Sequence, residues 1–389
     1  MGLREWACAR ACQTSDPRKH HLPERTHRYN WHRPHSGIGS KPPISRLGLR
    51  PDTLLRLHSW GMDRSVVLSL DHPVKTRRDL TLLCCQGGET MTDTDTPDAP
   101  PSRAARQRRQ FLGICEPSGG AFIDATRFVV ASDESNVLRI YDVNSSAIVG
   151  SVSLVDILGH DKSDLEDAAL CVDTIYWTAS QSRNSSGKDK KRKVVFATRI
   201  VVQDSVTTLA PPFVVREDFR PELLRHSGSS DDKINIEGLA TASGDGLFFG
   251  FRNLFAGKAA VVILKDASAA LASHAHVGEF SLVAMLDLGG RGIRSLERIG
   301  TRYLVIAGRP DDAAKVGYAL FWWNGDADHV PEPWRNQPDF TDFDPEVAML
   351  MPGGKAVMIL SDDGDRYPKA DLEDPTSDRR GFQSMVVDL

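Results

Sequence analysis

The chain has 389 residues, 40% hydrophobic and 26% charged, with a net charge of −4. That composition is ordinary for a globular protein and gives the whole chain no electrostatic claim on nucleic acid or an anionic membrane. No run of eighteen or more apolar residues occurs, and neither Met1 nor Met91 is followed by an apolar core of signal-peptide type, so no membrane partner is expected and the cytoplasm is the default compartment.

In chain order, the first ninety residues read as a non-globular leader, rich in Arg and His and without regular apolar spacing. Cys8 and Cys12 with His20 and His21 invite a zinc reading, but no second Cys pair stands at a matching distance, and none is adopted. Residues 91–110 begin Met91-Thr-Asp-Thr-Asp-Thr-Pro, a composition that buries too little to order itself, and read as a disordered linker.

Within the leader, Tyr29-Asn-Trp-His-Arg-Pro-His-Ser-Gly-Ile-Gly-Ser-Lys-Pro-Pro resembles the C-terminal end of the integrase-type domain of insertion-sequence transposases, over about residues 25–49. That family's catalytic carboxylates lie on earlier parts of its fold, for which there is no room here, so transposase activity is not implied. The expectation is a start assigned too far upstream, through a mobile-element remnant, with Met91 the true start. A basic arm for nucleic acid is the rival.

From Phe111 to Leu389 the chain is patterned. Five segments each give an apolar run of strand length, a turn, a second apolar run and a polar cluster. They begin near Glu116, Leu165, Ile236, Ile293 and Pro345. Glu237 to Arg252, Arg294 to Arg309 and Glu346 to Ser361 are all fifteen positions apart. A third strand follows each hairpin, at Val137, Val194, Ala259, Tyr318 and Met385, and a fourth is expected at Ile148 and Leu282. Four antiparallel strands in a recurring unit predict an all-β fold, a β-propeller of five blades. Gaps at 203–232 and 266–280 leave six as the alternative. The last blade ends at its third strand, so the segment from Arg109 to Ile114 is expected to supply the fourth and close the ring. Cys115 and Cys171 read as buried thiols.

The blocks Cys115-Glu-Pro-Ser-Gly, Asp164-Leu-Glu, Ile236-Glu-Gly-Leu-Ala, Gly289-Gly-Arg-Gly-Ile-Arg and Leu360-Ser-Asp-Asp-Gly resemble the domain of unknown function 3616 family, over about residues 114–389. The resemblance implies a propeller-like fold and little about activity. Glu-Gly blocks at blade starts are also similar to those of calcium-dependent lactonases and phytase-like phosphatases, at the level of fold alone.

In a blade, the start of the first strand and the end of the second lie at one end of the hairpin. This places Glu116, Glu166, Glu237, Arg294 and Glu346 in one ring at a channel mouth, with Asp133, Ser180, Arg183, Arg252, Arg309, Asp362 and Asp363 around it. Converging carboxylates need a counter-charge. Ca²⁺ or another divalent metal, held by Glu116, Glu166, Glu237 and Glu346, would supply it, and the arginines would then take a small anionic ligand. The enzyme alternative is a metal-dependent hydrolase of phosphate or carboxylate esters with Glu237 as general base. A protein-interaction platform is the third reading, expected if an apolar patch covers this face. Set against all three, the glutamates could simply satisfy backbone N–H groups of neighbouring blades, with Arg252 and Arg309 as their salt-bridge partners. The basic run Gly187-Lys-Asp-Lys-Lys-Arg-Lys reads as a solvated loop, and His160 as a surface residue.

Overall fold

A computed structural model of the protein describes residues 108–183, 191–212, 214–229, 234–368 and 379–389. The leader, its transposase-like stretch, Cys8, Cys12 and most of the linker and basic run lie outside the described residues. A first strand, β1 (Arg109–Leu112), precedes the blades. Blade I is β2 (Pro117–Phe122), β3 (Arg127–Ser132), β4 (Ser135–Asp142) and β5 (Ile148–Ser153), followed by the short helix α1 (Val155–Leu158). Blade II holds β6 (Leu165–Cys171), β7 (Thr174–Ala179), β8 (Val195–Gln203), β9 (Val206–Ala210) and β10 (Val215–Arg216). Helix α2 (Arg220–Ser227) leads to blade III: β11 (Ile236–Thr241), β12 (Leu247–Phe255), β13 (Lys258–Leu264), helix α3 (Ala267–Ala272) and β14 (Phe280–Leu286). Blade IV is β15 (Gly292–Ile299), β16 (Arg302–Gly308), β17 (Ala319–Trp323) and β18 (Glu332–Pro333). Blade V is β19 (Pro345–Leu350), β20 (Ala356–Ser361) and β21 (Gly381–Asp388).

Every sheet is antiparallel, and each inner strand packs against the inner strands of the blades beside it: β2 on β6, β6 on β11, β11 on β15, β15 on β19 and β19 back on β2. These strands are covered on both faces, which is why β2 and β11 read as continuous buried runs rather than alternating ones. The core is distributed accordingly, with one apolar cluster at each blade junction. Trp177 and Leu138 join blades I and II, Phe249 and Val195 join II and III, Trp323 and Phe248 join III and IV, Leu304 and Ile359 join IV and V, and Phe382 and Phe128 join V and I.

The ring has five blades. The stretch that left room for a sixth at 203–232 instead holds β9, β10 and α2, and the one at 266–280 holds α3. Closure takes the expected form. β1 pairs antiparallel with β21, from Arg109 opposite Ser384 to Leu112 opposite Gly381, and so serves as the outer strand of blade V. Phe111 is fully buried there, against Phe128, Phe382 and Tyr141 at ring-centroid distances of 5.1, 5.4 and 5.5 Å. Cys115 is buried, which pushes its thiol up to about 12, whereas Cys171 is only half-buried. Among the described residues no helix is long and apolar enough to cross a membrane.

Candidate functional site

All five inner strands carry a register shift at the same place. The pairing of each with its second strand skips one residue near its start: Ser118 in β2, Glu166 in β6, Glu237 in β11, Arg294 in β15 and Glu346 in β19. A bulge of this kind re-aims the extra side chain away from the pleat. Here all five line one cavity of about 400 Å³ at a mouth of the channel. The bulge also corrects the expected ring. The skipped residue of β2 is Ser118, so the blade I position belongs to it rather than to Glu116. Glu116 stands two residues earlier on the cavity wall, its carboxylate resting against the α-carbon of Gly364.

Charges in the ring are partly matched. Arg294 reaches Glu237 with Nη1 to Oε2 at 2.6 Å, and donates from Nε to Glu346 Oε2 at 2.8 Å. The other oxygen of Glu237 accepts from Arg252 Nη1 at 3.0 Å and from Asn235 Nδ2 at 2.8 Å. Burial opposes the charge of Arg294, and the two glutamates overcome it, holding the guanidinium well above its usual range. Glu166 is different: among the described residues no side chain or backbone group donates to it. Burial, then Asp164 and Glu237, raise its carboxyl well above the usual range. Burial likewise pushes Glu346 up to about 8, against the pull of Arg294. Carboxylate oxygens of Glu166, Glu237 and Glu346 lie within 4.8 Å of one another.

The cavity also holds oxygens that lack a donor. Ser118 is 3% exposed and among the described residues its Oγ has no hydrogen-bond partner, nor do Oδ1 of Asp133, Asn235 and Asn253 or Oε2 of Glu237, all of which line the cavity. A second acidic group, Glu116, Asp133 and Glu134, lies on the same side, with Lys162 paired to Glu134. Burial and then Asp362 push Glu116 up to about 7, and burial with Glu116 and Glu134 raises Asp133 well above its usual range.

Of the surrounding residues expected from the sequence, Asp133, Arg183, Arg252 and Asp362 line the cavity. Ser180, Arg309 and Asp363 do not. Ser180 is fully buried and its hydroxyl donates to Asp164. Arg309 points outward, next to Tyr318, and only its backbone carbonyl takes part, accepting from Arg252 Nε at 3.0 Å. The sequence reading missed Ser118, Asp164, Arg192, Asn235 and Asn253. Asp164 adopts φ +57°, a left-handed conformation uncommon for a non-glycine residue, and pairs with Arg192 at 3.1 Å. Its position before the strand motif was visible; its conformation was not.

The backbone-satisfying role considered for the glutamates falls to other residues, deeper in the channel. Asp167 Oδ2 accepts from the backbone N–H of Leu239 at 2.7 Å and of Leu296 at 3.3 Å, and from Ser295 Oγ at 3.4 Å. Ser295 Oγ in turn accepts from Ala348 N at 3.2 Å, and Glu297 Oε1 accepts from Leu350 N at 2.8 Å. Among the described residues no backbone N–H donates to Glu166, Glu237 or Glu346. Those three are therefore not explained by the inner edges of the blades.

No family model and no curated protein matches the chain. Solved structures do. Glutaminyl cyclase of Myxococcus xanthus is 11% identical, covering 72% of this chain and 95% of its own, at a TM-score of 0.40. A Thermus thermophilus protein described as an oxidoreductase (glucose dehydrogenase) is 11% identical, covering 73% and 100%, at 0.41. The calcium-binding protein regucalcin of Agrobacterium tumefaciens is 8% identical, covering 71% and 91%, at 0.35. At this level of similarity they say nothing of what the cavity holds, and the propeller is read from its own strand pairing.

Proposed function

We propose that this protein is a cytoplasmic propeller that binds a divalent cation, Ca²⁺ foremost, inside the ring, together with a small anionic ligand on the arginine side of the same cavity. The observation that carries the reading is the oxygen set: carboxylates of the buried Glu237 and Glu346 and the half-buried Glu166 within 4.8 Å of one another, Glu166 without a donor among the described residues, beside the Oγ of Ser118, which likewise has no partner among them. Hard cations such as Ca²⁺ take carboxylate, amide and hydroxyl oxygens and tolerate irregular geometry. Among the described residues the lining offers oxygen donors and no His or Cys, the donor set of a hard rather than a softer metal. Arg183, Arg192 and Arg252 stand on the same cavity, and a carboxylate or phosphate would meet both them and the cation.

The proposal stops at binding. Glu237 is ion-paired on both sides, its Oε1 accepting from Arg252 and Asn235 and its Oε2 lying 2.6 Å from Arg294 Nη1 without a well-aligned hydrogen bond, and two guanidinium partners disfavour its taking up a substrate's proton, so a role as general base is not carried forward. A platform for protein partners called for an apolar patch at this mouth, and the lining is charged and polar. Calorimetric titration of the EDTA-treated full chain with Ca²⁺ tests the reading. One saturable site is expected, tightened by added inorganic phosphate. Absence of binding for Ca²⁺, Mg²⁺ and Mn²⁺ alike would contradict it.

A further inference from the structure

Arg252 lies in β12 of blade III, and each of its three side-chain nitrogens reaches an acceptor. Nη1 donates to Glu237 Oε1 at 3.0 Å, in the ring. Nε donates to the carbonyl oxygen of Arg309 and Nη2 to Asp312 Oδ1, each at 3.0 Å. Both of these acceptors belong to the next blade, in the stretch between β16 and β17. The root of the side chain is fixed. Gly292 opens β15 so close to it that a Cβ there would lie 1.8 Å from the carbonyl oxygen of Arg252. Any change of partners must therefore take place at the guanidinium end.

The three acceptors are unequal. The Glu237 side chain is 3% exposed, and taking Arg252 from it would uncover part of a buried charge. Arg309 offers a backbone carbonyl, which stays where the strand end puts it. The Asp312 side chain is 100% exposed, and an ion pair with one partner wholly in water holds weakly. Asp312 is also the one outward tie of its surroundings. Among the described residues, the other hydrogen bonds of residues 311–316 run within the stretch, from the backbone N–H groups of Ala313 and Ala314 to Asp311.

A carboxylate or phosphate held bidentately needs two neighbouring N–H groups of a guanidinium. Since each nitrogen of Arg252 is engaged, such a ligand must displace an acceptor, and the exposed carboxylate is the one held least. We propose that Asp312 is an internal competitor for the cavity's anion. Its carboxylate occupies the place on Arg252 Nη2 that the ligand's carboxylate or phosphate takes, and binding exchanges one for the other and frees residues 311–316. This rests on the anion half of the functional reading and adds to it a position and a gate. Arg252 keeps an anionic partner on Nη2 in both states, and Glu237 keeps Nη1 throughout, so the exchange leaves the ring's charge pairing intact. What it changes is the hold on the stretch between β16 and β17, which carries the state of the cavity to the surface.

Two measurements on the full chain with saturating Ca²⁺ test the exchange, with inorganic phosphate as the probe. In calorimetric titration, Asp312→Asn should bind phosphate about threefold tighter than the wild type, or more, as loss of a weak competing pair allows. Asp311→Asn removes the same charge one residue away, from a side chain that bonds only within its own stretch. It should change the affinity by less than about twofold, the effect of an exposed charge acting through solvent. In limited trypsinolysis read by mass spectrometry, cleavage after the exposed Lys315 should quicken severalfold when phosphate is added to the wild type. In Asp312→Asn it should be fast with or without phosphate. Arg309 precedes Pro310, a bond trypsin does not cut, so Lys315 reports the stretch alone. Equal tightening by the two variants, an affinity that Asp312→Asn leaves unchanged, or cleavage at Lys315 indifferent to phosphate would overturn the proposal and leave the functional reading standing. No phosphate binding by the wild type or either variant would overturn both.

Discussion

Glu166 and Glu297 are both largely buried acids on channel-lining strands, and neither has a cationic partner among the described residues. They make different demands on the fold. Glu297 is the simpler case because it lies away from the ring. Its ordinary value is 4.5 and burial raises it to about 8. A group raised in the folded state favours folding while it is protonated, so its contribution is whole below about 4.5 and is lost as the pH climbs through about 8. Linkage puts the change at up to roughly 5 kcal/mol. Urea unfolding of the wild type and Glu297→Gln across that range should show the wild type losing stability relative to the variant. Parallel curves would mean that the carboxyl is not buried as described. Residue identity alone did not reveal this group, nor Asp167 or Ser295. In the sequence they are single polar positions inside apolar strands, and only the closeness of β15, β19 and β6 in the ring shows what they bond.

At the scale of the element, the recurring hairpin was legible because its two strands are both apolar, are bounded by turn residues and keep one spacing. The bulge was not legible, since it changes register without changing composition. In blade I the bulged position holds Ser118, whereas the acid Glu116, just before β2, was the one expected in the ring. The fifteen-residue spacing locates the ends of two adjacent strands but not the direction of the side chains there. Arg252 turns inward to Glu237 and Arg309 turns outward beside Tyr318, from equivalent positions. The closing strand was legible for a different reason: a ring with a missing outer strand needs one, and the segment before blade I was the apolar run available. Its grip rests on Phe111, fully buried among three aromatic rings. Phe111→Ala should cost about 3–5 kcal/mol in urea unfolding, as core aromatic truncations do. A cost below about 1 kcal/mol would mean that β1 does not hold the ring shut.

For the propeller as a whole, five equivalent positions have been filled unequally, with three glutamates, one arginine and one serine. Five acids would repel one another beyond what a single ion offsets. One arginine neutralises two of the glutamates and leaves the third with the serine facing the cavity. The proposed cation site rests on that asymmetry, which was only half visible in the sequence: the types were there, the pairing was not. The most direct test is thermal unfolding of the full chain after EDTA treatment, then with Ca²⁺, repeated on Glu166→Gln. Ligands that bind only the folded state raise the midpoint. The account predicts a rise of several degrees with saturating Ca²⁺ in the wild type, and in Glu166→Gln an undiminished metal-free midpoint with no response to Ca²⁺. An unresponsive wild type, or a variant that responds equally, would contradict a cation site in the ring.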